Sequence, residues 1–149
     1  MINTDAVTFG LAWLGYAFLG AGIARRANGR PSRAWDLATA AVVVAHVACV
    51  YAFRFDGSIA AAWNKSPPGF LIFHAALALI VTVPLVPEQR RALCALGAFG
   101  IASAGVLPAA FRYEEIAMLA LPNIAVFVAT VALTVRGWRG RGHARPAAP

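Results

Sequence analysis

AVVVAHVACVYAFRFDG, residues 41–57, decides the fold. It is an apolar run interrupted by one imidazole, His46, and stopped by Arg54. A stretch of this kind, continued back to Asp36, is long enough to cross the hydrocarbon core of a bilayer as a helix. Four further runs share its character. The five predicted spans are residues 7–24, 36–53, 69–86, 92–111 and 116–135. Strands of membrane barrels would need about ten residues of strict alternation, which no run shows. Backbone groups in lipid must be satisfied within the segment, so the runs predict helices.

The composition agrees. Of 149 residues, 60% are hydrophobic and 13% charged, against about 45–50% and 25% in soluble domains. The length suits one domain, residues 1–135, followed by a basic tail, 136–149, predicted to be disordered from its Arg, Gly and Pro content. Turn signals separate the runs: Asn28-Gly29, Pro67-Pro68 and the segment 87–91. The formal charge is +7, yet the bases flank apolar runs and form no face of their own, so nucleic acid is excluded as a partner. The bilayer is the partner the sequence implies, with other membrane subunits as further candidates. Cys49 and Cys94 lie in apolar stretches at no disulfide or zinc spacing.

The distribution of bases orients the bundle. Arg25, Arg26, Arg30, Arg33, Arg90, Arg91, Arg136, Arg139, Arg141 and Arg145 fall on one side, and Arg54, Lys65 and Arg112 on the other. Ten of 13 bases therefore mark the cytoplasmic face, with the amino terminus outside and the carboxyl terminus inside. The first run follows one acid and no base, unlike a cleavable signal, and is expected to stay as an anchor. High Ala and Arg content suggests a GC-rich bacterial genome and hence the inner membrane.

Polar residues inside the runs are few and aligned. Thr39, His46 and Cys49 share one face of the second span. His74 and Thr82 nearly align in the third, and Asn123, Thr130 and Thr134 align in the fifth. Pro122 removes one helix hydrogen bond and frees the carbonyl of Met118. Thr and Ser in such helices commonly bond back to their own backbone, which needs no function. The two histidines are the chemical candidates, because ionisable groups in lipid mark sites or helix contacts. Both fall in the outer half, with His46 about 12 Å and His74 about 7–8 Å below the boundary.

Three readings fit them. They bond between helices, with Thr39, Tyr51, Thr82 or Asn123 as partners. They ligate a haem b from both sides as axial ligands, the alternative electron-transfer reading. Or they line a path for protons or a small solute. In span count and paired histidines the chain resembles five-span cytochrome b subunits, which usually carry more histidines, and no residue is carried over from them. No motif supports catalysis: there is no histidine box, no H-E-x-x-H, and adjacent Glu114 and Glu115 diverge on a helix.

The outer ends repeat a pattern. Phe53-Arg54-Phe55-Asp56 and Phe111-Arg112-Tyr113-Glu114 each set aromatic, Arg, aromatic, acid. Interfacial aromatics with snorkelling arginines explain it. The sharper expectation is an ion-pair network of Arg54, Asp56, Arg112 and Glu114 over the bundle mouth, with the Trp63 loop as a lid and Asn123 lining the interior. The sequence thus predicts a non-catalytic inner-membrane protein, an accessory subunit or a carrier, with an outward-facing pocket around His46 and His74.

Overall fold

The computed structural model describes residues 4–112 and 120–143, which form six helices and no strand. They are α1 (Thr4–Ala27), α2 (Arg33–Arg54), α3 (Ile59–Lys65), α4 (Pro67–Thr82), α5 (Glu88–Arg112) and α6 (Ala120–His143). Four of them, α1, α2, α5 and α6, are long and apolar enough to cross a membrane, and the bent pair α3–α4 makes a fifth candidate. At about 1.5 Å per residue, the 24 residues of α1 extend about 36 Å.

Local chemistry sets the breaks. Gly29 takes φ +69°, a left-handed conformation that glycine adopts without penalty, and ends α1. Asp56 and Gly57 follow α2 at φ 47° and 75°. Asp tolerates that region better than most residues because its short side chain bonds locally. Ser66 starts α4: its hydroxyl accepts from the Gly69 N–H at 3.2 Å, and the prolines behind it occupy positions whose N–H groups would be orphaned anyway.

Three boundaries differ from the sequence expectation. The 54–68 connection contains α3, which meets α4 at 120°. The third run is helical only to Thr82, and 83–86 form turns. There Arg91 donates to the carbonyls of Val83 and Val86, at 3.2 and 3.0 Å, supplying partners that the helix end lacks. Finally, residues 136–143, expected to be disordered, continue α6. Gly137 in this extension lies against the backbone of Ala27 at the end of α1.

Pairwise contacts give the helix directions. Gly15 meets Val43 and Gly22 meets Trp35, so α1 and α2 are antiparallel. Ile72 meets Gly105 and Leu79 meets Gly97, so α4 and α5 are antiparallel along most of α4. Tyr16 meets Ser103 and Arg26 meets Glu88, which makes α5 antiparallel to α1. Gly20 meets Thr130 and Ala27 meets Gly137, which makes α6 parallel to α1. The five longer helices therefore alternate in direction. One end of the bundle gathers Asp5, Arg54, α3 and the start of α4. The other gathers Arg26, Arg33, Arg91 and the last turns of α6.

Helix α1 is the centre, in contact with α2, α5 and α6. Lipid gives no hydrophobic drive for helix association, so close packing and polar contacts carry it. The core joins Tyr16, Leu19, Ile23, Ile80, Val83, Ala95, Ala98 and Phe99. Tyr16 stacks on Phe99 at 5.1 Å, Phe99 stacks on Phe127 at 5.8 Å, and the Tyr16 hydroxyl shares a 2.8 Å hydrogen bond with Ser103. A Cβ on Gly137 would run into the Ala27 carbonyl, a backbone atom that cannot rotate away. Gly137→Ala is expected to cost about 1–3 kcal/mol by overpacking, read as a lower unfolding midpoint in detergent. An unchanged midpoint would argue against the α1–α6 contact.

Candidate functional site

A cavity of about 300 Å³ opens at the base-poor end, between the start of α1, the end of α2, and the α3–α4 corner. Thr8 and Phe9 supply its α1 wall. His46, Val50, Tyr51, Arg54 and Phe55 supply the α2 wall, and Phe70, Phe73 and His74 the α4 wall. Helix α3 contributes Ala62 and Lys65. Both sequence-predicted histidines thus line one space, two turns below Arg54 on the α2 side. The volume sits at the lower end of the range for small-molecule sites, and its mostly apolar walls with a few polar groups are typical of them.

Hydrogen bonds assign the imidazole protons. His46 Nδ1 lies 2.9 Å from the Thr8 carbonyl, which only accepts, so Nδ1 carries the proton and Nε2 holds the lone pair. No residue among those described bonds to that Nε2. His74 Nδ1 donates to the Phe70 carbonyl at 2.7 Å, and its Nε2 accepts from the Tyr51 hydroxyl at 3.1 Å. His74 is therefore satisfied inside the protein. Phe70 stacks on it at 3.8 Å. Phe73 meets both imidazoles edge-on, at 5.9 Å from His46 and 5.2 Å from His74. An aromatic ring thus contacts each histidine, and the two do not hydrogen-bond to each other.

This geometry bears on the haem reading. Axial ligation by the pair would need Nε2 of both rings, and the Tyr51 hydroxyl occupies that of His74. Among the described residues no group of three or more His, Cys, Asp or Glu is placed to hold a metal ion.

Of the expected rim network, only the Arg54 and Asp56 side chains fall within the described residues. Arg54 bonds Asp5 of α1 at 2.8 Å and lies over the Phe9 ring at 4.7 Å. Asp56 is exposed in the left-handed turn. Arg112 is the last residue of α5, but its side chain and Glu114 lie outside the described residues. Trp63 packs edge-on against Phe70 at 5.5 Å, on the outside of the cavity wall. Asn123 is buried in α6 and is not among the cavity residues; its Oδ1 has no partner among the described residues.

The remaining intramembrane hydroxyls mostly bond back. Thr8, Thr39, Thr82 and Ser103 each donate to the carbonyl four residues earlier. Tyr51 was a foreseeable partner for a histidine. The Thr8 carbonyl was not, because a backbone acceptor leaves no mark in sequence. Phe9, Phe70 and Phe73 were also missed as site residues, since apolar aromatics in a span read as packing. Lys65 could have been found as the one lysine in the chain, in the connection between the second and third runs.

Comparison with known protein families, curated proteins and solved structures finds no match. The fold and cavity therefore carry the functional reading. The chain is an all-helical protein with four to five helices compatible with membrane crossing.

Proposed function

We propose that this is a five-span bacterial inner-membrane protein that binds a small amphipathic acid in its outward-facing cavity, as an accessory subunit or as the binding element of a carrier. The alternating helix directions support five crossings, and the arginine distribution supports an external amino terminus. The observation that carries the binding role is the cavity itself. It combines aromatic walls, two cations at the mouth, and one uncommitted imidazole nitrogen below.

Each part matches a part of the ligand. Arg54 and Lys65 favour an acidic group at the headgroup level, where a charge stays hydrated. Phe9, Phe55, Phe70 and Phe73 favour an apolar or aromatic body. His46 Nε2 accepts from a hydroxyl or N–H on the buried end. The separation from His46 to Arg54 is eight residues, about 12 Å along α2, which sets the span of the ligand. Binding is favoured over conduction because Tyr16, Leu19, Ile23, Ile80 and Val83 join one buried core further along α1 and α4 than the Thr8 and His74 that line the cavity. It is favoured over haem ligation because His74 is already committed to Tyr51 and Phe70.

6-Hydroxy-2-naphthoate, 2-naphthoate and 2-naphthylmethylamine make a discriminating probe set. In calorimetric titration of the detergent-purified protein the hydroxy acid is expected to bind best and the amine worst. His46→Phe keeps a ring and removes the acceptor. It is expected to weaken the hydroxy acid about tenfold, the equivalent of one hydrogen bond to a polar group, and to leave 2-naphthoate unchanged. Lys65→Gln should weaken both acids. Equal binding of acid and amine, or a red protein with a Soret band lost in His46→Phe, would sink this reading.

A further inference from the structure

A second, smaller cavity of about 90 Å³ lies at the base-rich end of the bundle, between α1, α5 and α6. Ile23, Ala92 and Leu96 form its apolar walls, and Arg26, Thr134 and Trp138 bring the polar groups. Thr134 is only 5% exposed, and its hydroxyl has no partner. That is unusual in this chain, where four other buried or intramembrane hydroxyls bond back to their own helix. Arg26 donates through Nη2 to Asp36, but Nε and Nη1 are buried and make no hydrogen bond. Glu88 Oε1 stands 3.8 Å from that Nε, too far for a hydrogen bond, on a side chain that is 65% exposed and also paired with Arg91.

Arg26 and Thr134, each with buried and unbonded side-chain polar atoms, therefore line one space with no carboxylate among its lining residues. Buried polar groups left unsatisfied are costly, so a set of donors without acceptors calls for an acceptor-rich guest. The volume equals about three waters by their share of liquid volume, or one tetrahedral oxyanion. Arg suits such a guest because its planar fork matches phosphate oxygens. The cavity sits in the last turn of α1, and Trp138 is half-exposed beside it, as aromatics are at the membrane surface. Basic pockets between helices at the cytoplasmic surface are sites for phospholipid headgroups.

We propose that Arg26 and Thr134 hold the phosphate of a phospholipid headgroup in this cavity, with Trp138 flanking its acyl chains. Exposed Glu88 yields the Arg26 Nε when the phosphate enters and remains paired with Arg91. The site is independent of the larger cavity at the other end and does not rest on the ligand assigned there.

Delipidated protein is to be titrated in neutral detergent with phosphatidylglycerol, with phosphatidylcholine, and separately with inorganic phosphate, followed by native mass spectrometry and thermal unfolding. Phosphatidylglycerol is expected to bind with defined stoichiometry and raise the unfolding temperature. Thr134→Val, which removes the hydroxyl at nearly constant volume, should weaken that binding about tenfold. Thr134→Ser should retain it, and Glu88→Gln should strengthen it. Each of these variants leaves the Arg26–Asp36 pair in place, so a folded protein is expected throughout. Equal lipid binding by wild type and Thr134→Val, or no lipid-dependent stabilisation, overturns the proposal. Stabilisation by inorganic phosphate but not by lipid overturns the lipid as the source.

Discussion

Asp36→Ala is expected to destabilise the protein by about 3–5 kcal/mol, the cost of leaving one member of a buried ion pair without its partner. The pair joins α1 to α2 through a 2.8 Å contact from Arg26 Nη2 to Asp36 Oδ2, with side chains only 13% and 3% exposed. Ser32 lies 3.5 Å from the same carboxylate oxygen. Arg26 has Glu88 as a second acid, but at 3.8 Å and on a solvent-exposed side chain, so it replaces little of the loss. Asp36 also sits in the first turn of α2, where a negative charge complements the helix dipole. Unfolding in mixed micelles should show the loss directly. The double change Arg26→Leu with Asp36→Leu should recover much of it, because an apolar pair of similar volume often equals a buried ion pair. A single-variant loss below about 1 kcal/mol would mean that the pair is effectively hydrated.

The second large effect is all-or-none. A reporter active only in the periplasm is expected to be silent when fused at Arg33 or Pro149 and active when fused at Gly57. Two independent features lead to this pattern. The bases predict a cytoplasmic 25–33 connection. The contacts of Gly20 with Thr130 and of Ala27 with Gly137 run α6 parallel to α1, so the end of α6 shares the side of residue 33. If α3–α4 entered and left on one face, only four crossings would remain. Fusions at Arg33 and Pro149 would then report opposite sides. That result would remove the outward-facing cavity as well as the five-span arrangement.

Much of the fold was legible because a bilayer allows few solutions. Apolar runs of sufficient length had to be helices, and the described runs are helical. What stayed hidden has particular causes. Helix α3 is seven residues long and too mixed to show a period, so it read as a loop. The end of α4 at Thr82 was masked because Val83, Leu85 and Val86 are apolar and extend the run past the turn. Residues 136–143 looked disordered by composition, yet they continue α6, with Gly137 packed against Ala27 and Asn28. At the site, the placement of His46 and His74 at similar depths near one end of the bundle was visible, and both line one cavity. The pairing of Arg54 with Asp5 was not, since the two are 49 residues apart and any of the outer acids was an equal candidate. Thr134 had been grouped with threonines that bond back to their helices, and its lack of a partner emerges only from three-dimensional packing.

The parallel seam between α1 and α6 has a consequence for biosynthesis. Its two sides, Gly20 and Thr130, are separated by 110 residues. At about 5–20 residues per second, α1 waits several seconds in the bilayer before its last neighbour is made. During that interval the face of α1 that carries Gly20 is without its α6 partner. A chain halted before residue 120 lacks α6 and leaves that face of α1 without its partner.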